Sequence, residues 1–453
     1  MDLHGALVSS PGMGHAVPII ELGKRLLTHH GFDRVTVFLV TTDISRSKSQ
    51  LGLSMSETPG LVIEFISLEV PEQDLTGSVL NKLATMMRMA LPEIRSAVME
   101  LEPRPTVLVA DLMGIEALAV ARDLEVTRKF VLVTTSAWFL ALTVYMASLD
   151  KGTLYKLVSS REPLLIPGCS PVQLDPVQDP SSIQDLTECL RMGTEILAVN
   201  GVFVNTWHEL ECEVIGSFLD PEKLGRAMGG VPIYPVGPLI RPVEPGLKHE
   251  VLDWLEQQPE ESVVFVSFGS GGSLTSDQTT ELAWGLELSR QRFVWVVRPP
   301  AEDDPSASMF NTTKNQATKT DFLPDGFLER TEKTGLVVRT WAPQEEILAH
   351  RSTGAFVSHC GWNSILESVA NGVPMIAWPL HSEQKMNAWM VSEEWKIAVR
   401  ATGQGTVRRE EIAEMLRRVM EEEEGKEMRK NVQNLKNTAQ ESLMRTESKN
   451  LQI

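Results

Sequence analysis

The amino-acid sequence predicts an α/β protein with two doubly wound domains, each built on a parallel sheet that helices cover on both faces. Three observations support this prediction. Short, continuously apolar runs alternate with stretches of helical periodicity, which is typical of strands buried on both faces. This alternation occurs twice, before and after a segment at 235–246 that contains four prolines. A chain of 453 residues is also too long for one core and fits two domains of ordinary size.

The first half of the chain contains five predicted strands. Each is a short run rich in β-branched or other apolar residues, at Gly5–Ser9, Val35–Val40, Leu61–Ile66, Thr106–Ala110 and Val131–Thr134. After the first strand, a turn at Pro11–His15 leads into a predicted helix over Val17–Leu27, where apolar residues recur at helical spacing.

The second half repeats the pattern with five more predicted strands. They lie at Val263–Phe268, Phe293–Val297, Leu336–Arg339, Ala355–Ser358 and Pro374–Trp378. A glycine-rich turn at Gly269–Ser273 leads into a predicted helix over Gln278–Leu288, and Thr275 with Gln278 has the spacing of a capping box at its start.

Charge and cysteine content limit the classes of function. The chain has 60 acidic and 42 basic residues, a net charge of −18, which argues against nucleic acid or an anionic membrane as a partner. Its four cysteines show no C-x-x-C pair and no zinc spacing. We find no secretory signal and no apolar stretch of about 20 residues that would span a membrane. We therefore expect a cytoplasmic, monomeric protein.

One segment has the features of a phosphate site. The predicted strand Ala355–Ser358 ends at His359, and a helix is predicted to begin near Trp362 and to end at Gly372 in a left-handed cap. Parallel α/β sheets bind ligands where strands end, and helix N-termini favour phosphate. His359, Asn363 and Ser364 would donate to a phosphate, and Glu367, one helical turn further on, would suit ribose hydroxyls. The turn containing Ser270 is a second anion candidate.

The first half contains a candidate general base. His15 follows the first predicted strand, and Asp111 directly follows the fourth. If these strands are neighbours, the two side chains come within hydrogen-bond reach. An imidazole can accept a proton at neutral pH, and a carboxylate behind it fixes the tautomer and stabilises the imidazolium.

The segment at 341–384 also carries a resemblance to a known family. Its 44 residues read WAPQEEILAHRSTGAFVSHCGWNSILESVANGVPMIAWPLHSEQ. They closely resemble the signature box of plant secondary-product UDP-glycosyltransferases, from the opening Trp to the closing Gln. Four other segments are similar to the family: HGALVSSPGMGH near the start, FVNTWHELE at 203–211, YPVGPL at 234–239 and VSFGSGGSL at 266–274. The similarity covers essentially the whole chain and is greatest to the hydroquinone and monolignol type of phenolic glucosyltransferase.

The resemblance implies the GT-B fold, in which two Rossmann-like domains face each other across a cleft. It places an acceptor-binding domain at 1–238, a linker at 239–250 and a UDP-sugar-binding domain at 251–430, with a C-terminal helix at 431–453 that packs back toward the first domain. It implies that the chain is an inverting enzyme. This enzyme would transfer glucose from UDP-glucose to a hydroxyl of a small, lipophilic, phenolic acceptor and release a β-glucoside and UDP.

The resemblance also assigns roles to residues. Trp341 stacks on uracil, Ala342 contacts it through the backbone, and Gln344 reaches the ribose. His359 meets the β-phosphate, Asn363 and Ser364 meet the α-phosphate, and Glu367 holds the ribose. Glu383 and Gln384 bind the sugar, and a closing Gln generally accompanies glucose preference. The remaining donor candidates are Gly14, Ser270, Gly361 and Trp362.

The catalytic assignments follow from the same resemblance and chemistry. His15 is the general base and Asp111 its partner. Met113, Trp138 and Phe139 are apolar residues that would line the acceptor site. No cofactor or metal is expected, because a helix terminus and His359 would offset the charge that develops on the diphosphate. The acidic residues at 302–304 lie in a polar loop and are expected to face solvent.

The residues suggest three alternative functions. C-glucosylation of an electron-rich ring would use the same base and stays open. A non-catalytic UDP-sugar-binding protein would be expected to have lost His15 or Asp111, and both are present. A nicotinamide oxidoreductase is suggested by Gly12, Gly14 and Asp43, but its fingerprint needs a third small residue where this chain has Val17.

Overall fold

The computed structural model divides into two compact units. It describes residues 3–52, 58–69, 77–123, 126, 128–160, 163–171, 183–244, 246–302, 322–339, 341–381, 383–401 and 405–448. The first unit comprises Met1–Arg241 together with Ala439–Ile453, and the second comprises Pro242–Thr438.

The first unit is built on a seven-stranded sheet in the order β3-β2-β1-β4-β5-β6-β7, and every neighbouring pair is parallel. Its strands are β1 His4–Ser9, β2 Arg34–Thr41, β3 Leu61–Ser67, β4 Val107–Asp111, β5 Arg128–Val133, β6 Gly201–Val204 and β7 Ile233–Pro235. Its helices are α1 Met13–His29, α2 Ile44–Leu51, α3 Val79–Met99, α4 Val120–Asp123, α5 Ala137–Ser148, α6 Lys151–Ser160, α7 Ile183–Glu195, α8 Cys212–Leu219 and α9 Leu224–Ala227, with 3₁₀ helices at Leu112–Ala119 and Ile196–Ala198.

The second unit is built on a six-stranded parallel sheet in the order β10-β9-β8-β11-β12-β13. Its strands are β8 Val263–Ser267, β9 Arg292–Val296, β10 Gly335–Val338, β11 Thr353–Ser358, β12 Met375–Ala377 and β13 Ala398–Arg400. Its helices are α10 Glu250–Leu255, α11 Ser276–Ser289, α12 Phe327–Thr331, α13 Gln344–Ala349, α14 Trp362–Asn371, α15 Gln384–Trp389 and α16 Arg409–Glu421, with a π-helical turn at Met390–Glu394. A last helix, α17 Glu423–Ser448, begins in the second unit and ends in residues assigned to the first.

These two parallel-sheet α/β units confirm the predicted fold class. All ten predicted strands are present, with ends that differ by at most three residues. Three short strands, β6, β7 and β13, were not predicted. Each is only three or four residues long and therefore gives little periodic signal.

The strand order determines where functional residues can meet. In each unit the chain starts in the middle of the sheet, adds two strands on one side and then crosses to the other side. The reversal lies between β1 and β4 in the first unit and between β8 and β11 in the second. Open α/β sheets bind ligands beyond the carboxyl ends of the strands at such a reversal.

Burial explains why the central strands stay in place. Every residue of β1, β4, β8 and β11 is buried. Apolar residues from the sheet and its helices form a core in each unit, centred on Leu7, Ile19 and Val109 in the first and on Val266, Trp295 and Val357 in the second. Among the described residues, no helix is long and apolar enough to cross a bilayer.

Two predicted helix ends can be compared with the structure. Gly372 adopts the expected left-handed conformation (φ 75°, ψ 30°) after α14. Thr275 caps α11 by accepting from the amide of Gln278 at 3.2 Å, which is half of the predicted capping box. The other half, a bond from the Gln278 side chain back to the amide of Thr275, is wrong. The Gln278 side chain instead pairs with both backbone groups of Val407, at 2.8 and 3.0 Å, and this ties α11 to the loop before α16.

Candidate functional site

His15 and Asp111 meet at the reversal of the first sheet. His15 lies in the first turn of α1, which follows β1, and Asp111 is the last residue of the neighbouring strand β4. Nδ1 of His15 is 3.0 Å from Oδ2 of Asp111; the Asp111 side chain is fully buried, and that of His15 is 14% exposed. A carboxylate accepts hydrogen bonds, so Nδ1 carries the proton and Nε2 carries the lone pair.

Other groups hold this pair in position. Oδ2 of Asp111 also accepts from the amide and the hydroxyl of Ser10, at 3.0 and 2.5 Å. Its Oδ1 accepts from the amide of Gly114 at 2.8 Å and so caps the following 3₁₀ helix. Oγ1 of Thr134, directly after β5, is 3.1 Å from Nδ1 of His15. The imidazole is therefore oriented by groups at the carboxyl ends of three adjacent strands, β1, β4 and β5.

The turn that presents His15 depends on glycine. Gly12 has φ 106°, a conformation that residues with a Cβ rarely adopt, and α1 begins at the next residue. A Cβ built on Gly14 would meet nothing within 4 Å, so the second glycine of this turn is not required by local packing. Its predicted contact with the donor stays a prediction.

In the second unit, His359 lies between two glycines at the reversal of the sheet. It follows β11, and Gly269 follows the neighbouring strand β8. A Cβ on Gly269 would lie 2.5 Å from Cε1 of His359, and a Cβ on Gly361 would lie 2.5 Å from its Nε2. Only glycine at both positions allows the ring to occupy this place.

The electrostatic surroundings keep His359 neutral. The pKa of His359 is lowered to about 3, chiefly by burial of the ring and further by the neighbouring His381 and Arg298. Within the described part of the chain, Nδ1 of His359 has no hydrogen-bond partner. At neutral pH this side chain is therefore an uncharged imidazole with a polar atom still to be satisfied, which suits hydrogen bonding to a phosphate.

The N-terminus of α14 supplies backbone amides next to His359. The helix begins at Trp362 after Gly361, which offers no side-chain cap, so a ligand can take the place of one. The Trp362 side chain is buried and packs against Trp395, with ring centroids 6.1 Å apart. Any contact of Trp362 with a donor would therefore be made by its backbone. Asn363 and Ser364 complete the first turn, as expected.

The residues expected to hold the nucleoside lie together. Nε2 of Gln344 donates to Oε2 of Glu367 at 2.6 Å and to Oγ of Ser364 at 2.9 Å. Glu367 and Ala342 are buried, whereas Trp341 is 37% exposed and so leaves part of its indole accessible for stacking. Three predicted donor residues on α13 and α14 are thus joined by direct hydrogen bonds.

The residues expected to bind the sugar are at the start of α15. Glu383 is the N-cap residue, and Gln384 is the first helical residue. Oε1 of Gln384 accepts from the amides of Leu380 and His381, at 3.0 and 3.2 Å, and its Nε2 is 3.3 Å from Nδ1 of His381. Gln384 therefore also shapes the loop that precedes it, a role that the sequence did not suggest.

Comparisons with known proteins decide the family. A family model described as UDP-glucoronosyl and UDP-glucosyl transferase matches residues 228–442. UDP-glycosyltransferase 72C1 of Arabidopsis thaliana is 70% identical over 449 residues, which cover 98% of this chain and 98% of that protein. The chain belongs to the plant UDP-glycosyltransferase family. It is therefore an enzyme that transfers a glycosyl group from a UDP-sugar, and the predicted family is confirmed.

One further relative and one solved structure are similar to this UDP-glycosyltransferase over nearly their whole length. Hydroquinone glucosyltransferase of Rauvolfia serpentina is 40% identical over 453 residues, 97% of this chain and 94% of that protein. The crystal structure of TcCGT1 in complex with UDP superposes with a TM-score of 0.89 at 38% identity, covering 99% of both chains. The two-sheet architecture is thus that of GT-B glycosyltransferases that bind UDP.

The predicted acceptor residues of this UDP-glycosyltransferase are buried. Met113 is 7% exposed, and Trp138 and Phe139 are each 2% exposed. Met113 follows Asp111 by two residues, and the two aromatic residues begin α5, so all three are close in sequence to groups that orient His15. Their packing belongs to the core of the first unit, and their contact with an acceptor stays a prediction.

Sequence reasoning gave no role to Glu211, which binds the backbone near the groups that orient His15. Its carboxylate accepts from the amides of Ala137 and Trp138, at 2.9 and 3.1 Å, and is buried at the start of α5. Ser136 caps the same helix by accepting from Phe139 at 3.2 Å. Since Thr134 lies just before this turn and contacts His15, Glu211 helps to fix the backbone from which Thr134 projects. The FVNTWHELE motif contains this residue and was the available signal.

Arg298 is a second residue that the sequence did not single out. It follows β9, and its Nη1 donates to the carbonyl oxygen of Ser270 in the glycine-rich loop. The guanidinium also lies close enough to His359 to lower the pKa of that residue. Arg298 thus places a positive charge beside the expected diphosphate site. Its position there follows from the strand order and could not be predicted from the local sequence.

The described residues contain no group of three or more His, Cys, Asp or Glu that could hold a metal ion. Of the acidic residues at 302–304, Glu302 is exposed, as expected, and accepts from the amide of Ser276 at 2.9 Å. Residues 303 and 304 lie outside the described residues.

Proposed function

We propose that this enzyme transfers glucose from UDP-glucose to the hydroxyl of a small, lipophilic, phenolic acceptor, with inversion at the anomeric carbon. The observation on which the proposal depends is the His15–Asp111 pair, with its Nδ1–Oδ2 distance of 3.0 Å. An acceptor hydroxyl must lose its proton as it attacks, and a catalytic base can take that proton. A protein that only bound UDP-sugars would not need such a base.

The proposed reaction is a single displacement. The acceptor oxygen attacks the anomeric carbon as the bond from that carbon to the β-phosphate oxygen breaks. The hydroxyl proton passes to Nε2 of His15, and UDP leaves with the bonding electron pair. Asp111 stabilises the imidazolium that forms, in the manner of the carboxylate in a hydrolase triad. Attack from the face opposite the leaving group gives a β-glucoside.

The donor would be held by the second unit. We assign the diphosphate to the amides at the start of α14 with His359, Asn363, Ser364 and Ser270, and the sugar to Glu383 and Gln384. The nucleoside belongs to Trp341, Ala342, Gln344 and Glu367. The negative charge that develops on UDP would meet amide dipoles and the guanidinium of Arg298, so no metal is required. In domain terms, residues 1–238 bind the acceptor and 251–430 the donor.

The acceptor class rests on two supports. One relative is named for hydroquinone, a phenol, and shares 40% identity along nearly the whole chain. The residues that we assign to the acceptor site, Met113, Trp138 and Phe139, are apolar and would suit an aromatic ring better than a charged or strongly hydrated molecule. We further propose that the enzyme is a cytoplasmic monomer.

The test is a product assay with purified enzyme. UDP-glucose is incubated with a panel of phenols, alcohols, acids and thiols, and the products are measured by mass, alongside UDP-galactose, UDP-xylose and UDP-glucuronic acid as competing donors. We expect a gain of one hexose on phenols, which β-glucosidase or acid then removes and which EDTA does not prevent. A product that resists both treatments would mean C-glucosylation instead.

The base is tested by His15→Ala, with His29→Ala in the last turn of the same helix as its matched control. We expect the first variant to lose transfer to weakly acidic alcohols almost completely while it still binds UDP, and to retain more activity with acidic phenols. The control should behave like the wild type. Turnover of an alcohol near the wild-type rate by His15→Ala would refute the base assignment.

A further inference from the structure

The phosphate turn contains a buried residue in a left-handed conformation. Cys360 lies between His359 and Gly361 and has φ 63°. In the described part of the chain, three other non-glycine residues have positive φ, namely Glu261, Arg290 and Lys396, and all three are exposed, whereas Cys360 is fully buried. A left-handed residue with a Cβ is disfavoured because the Cβ approaches the following carbonyl oxygen. The conformation must therefore be held by its surroundings.

Two hydrogen bonds hold the backbone of Cys360. Its amide donates to Oγ of Ser358 at 3.2 Å. Its carbonyl oxygen accepts from Nδ2 of Asn387 at 3.0 Å. Asn387 is fully buried on α15, 27 residues further along the chain. Because a carbonyl oxygen can only accept, the amide group of Asn387 must be the donor, and the orientation of its side chain is settled.

The cysteine side chain does not explain the turn. Burial raises the pKa of the Cys360 thiol to about 12, so the sulfur stays protonated and is a poor nucleophile. The thiol merely contacts the carbonyl oxygen of Ser358 at 3.5 Å. What distinguishes this position is its backbone geometry and the partner of its carbonyl group.

Burial of Asn387 also lowers the stability of the protein. Within the described part of the chain its Oδ1 has no hydrogen-bond partner. A buried acceptor without a donor destabilises a protein, and leucine, which has a similar shape, would avoid this cost. Asparagine at this position therefore needs a reason, and the bond from Nδ2 to Cys360 is the contact that supplies one.

We propose that Asn387 is a positioning residue for the donor diphosphate. By holding the left-handed backbone of Cys360, it sets the direction of the His359 ring and of the first amides of α14. Asn387 lies one turn after Gln384 on α15, so the helix that would recognise the sugar also fixes the turn that would recognise the phosphates. This inference rests on the proposed roles of His359, α14 and Gln384 in donor binding.

The test compares two substitutions that remove the side-chain N–H group with which Asn387 binds the carbonyl oxygen of Cys360. Asn387→Leu leaves the carbonyl of Cys360 without its bond, and Asn387→Asp keeps the shape but directs an oxygen at that carbonyl. The measured quantities are the Kd for UDP by calorimetry, the KM for UDP-glucose and for acceptor, and kcat. We expect Asn387→Leu to raise the Kd for UDP and the donor KM roughly ten-fold, with the acceptor KM unchanged, and Asn387→Asp to raise them further.

The chain offers a closely matched control. Asn431 donates through Nδ2, at 3.1 Å, to the carbonyl oxygen of Lys396. Lys396 is also a non-glycine residue with positive φ, 51°, but it is exposed and is not adjacent to any of the proposed donor residues in sequence. Asn431→Leu and Asn431→Asp should leave the Kd for UDP within about two-fold of the wild type. An equal loss of UDP affinity in the Asn431 and Asn387 variants would indicate general destabilisation and overturn the proposal.

A double variant tests the mechanism itself. Glycine adopts positive φ freely, so Cys360→Gly should make the contact with Asn387 less necessary. We expect Asn387→Leu to raise the Kd for UDP by no more than about three-fold in the Cys360→Gly background. The same increase in both backgrounds would refute the inference. Should Asn387→Asp fail to fold, Asn387→Leu gives the same measurements without a buried charge.

Failure of this inference can be told apart from failure of the proposed function. Glu367→Ala, which removes a proposed ribose contact, should weaken UDP binding whatever Asn387 does. If the wild type binds UDP and Glu367→Ala weakens binding, but the Asn387 variants bind UDP normally, only the positioning role is wrong. If Glu367→Ala has no effect, the donor assignment itself is wrong.

Discussion

Oδ2 of Asp111 lies 3.0 Å from Nδ1 of His15 and at the same time accepts from the amide and hydroxyl of Ser10. The buried carboxylate thus sets both the position of the ring and the tautomer that leaves Nε2 as a base. We predict that Asp111→Asn lowers kcat on the order of 10²–10⁴-fold, because the amide presents the wrong group to Nδ1. Steady-state kinetics with a phenolic acceptor measures this effect.

The matched control for this variant is Asp43→Asn. Asp43 follows β2 in the same sheet and caps α2 by accepting from the amide of Arg46 at 3.0 Å. Its replacement should leave kcat within about two-fold of the wild type, since asparagine caps a helix about as well as aspartate and the change does not affect the reacting atoms. Comparable losses of kcat in both variants would argue against a special role for Asp111.

Glu367 provides the second prediction, since it is buried and joined to Gln344 by a 2.6 Å hydrogen bond. Glu367→Ala should raise the KM for UDP-glucose roughly 10- to 100-fold, the effect of losing charge-assisted hydrogen bonds. The acceptor KM should not change. Glu393→Gln, which alters an exposed carboxylate paired with Arg400 in the same unit, serves as the control. An unchanged donor KM in Glu367→Ala would exclude the ribose role.

The third prediction concerns the pH dependence of stability. Because the pKa of His359 is lowered to about 3 in the folded protein, the unfolded chain binds more protons between pH 6.5 and 3. The free energy of unfolding should therefore fall as the pH drops through this window. Relative to His359→Gln, the wild type should lose about 1–2 kcal/mol between pH 7 and pH 5, where each pKa unit corresponds to about 1.4 kcal/mol.

Urea unfolding of both proteins at the two pH values measures this difference. His208→Gln is the control, because His208 is exposed and its replacement should change the wild-type profile little. If the wild type and His359→Gln lose stability in parallel as the solution is acidified, His359 is not the residue responsible.

The fourth prediction concerns Glu211, whose carboxylate accepts from two amides at the start of α5. Glu211→Ala leaves both amides buried without an acceptor and should lower the free energy of unfolding by about 1–3 kcal/mol. It should also lower kcat, because Thr134 and through it His15 lose support. Glu209→Ala, two residues earlier, removes only a surface ion pair with Arg445 and should cost less than about 1 kcal/mol. Thermal unfolding and kcat, measured on both variants, distinguish the two cases.

Much of the fold followed from the sequence because buried parallel strands give strong local signals. The runs that became β1, β4, β8 and β11 are mainly apolar, and each ends in serine or aspartate. Once these strands are placed side by side, His15 must approach Asp111 and Gly269 must approach His359. The carboxyl-end rule would also have selected Thr134 and Arg298, which follow β5 and β9, had the strand order been known.

Other features could not be predicted because they depend on contacts between distant residues. The side chain of Gln278 had a local partner in a capping box, and the structure gives it Val407 instead. Asn387 and Glu211 act on backbone groups 27 and 74 residues away, and no spacing rule connects such pairs. Gln384 looked like a sugar-binding residue alone, yet it also fixes the amides of Leu380 and His381.

The end of α17 has a consequence for dissecting the molecule. Ala439 is buried among residues of the first unit, Ser442 donates to the carbonyl oxygen of Gly237 at 3.3 Å, and Arg445 pairs with Glu209 at 2.7 Å. Cutting the gene after codon 241 would therefore yield an amino-terminal fragment that lacks part of its own structure. A stand-alone version would need the 439–448 segment grafted back, for example by circular permutation, whereas the second unit is encoded by one uninterrupted stretch.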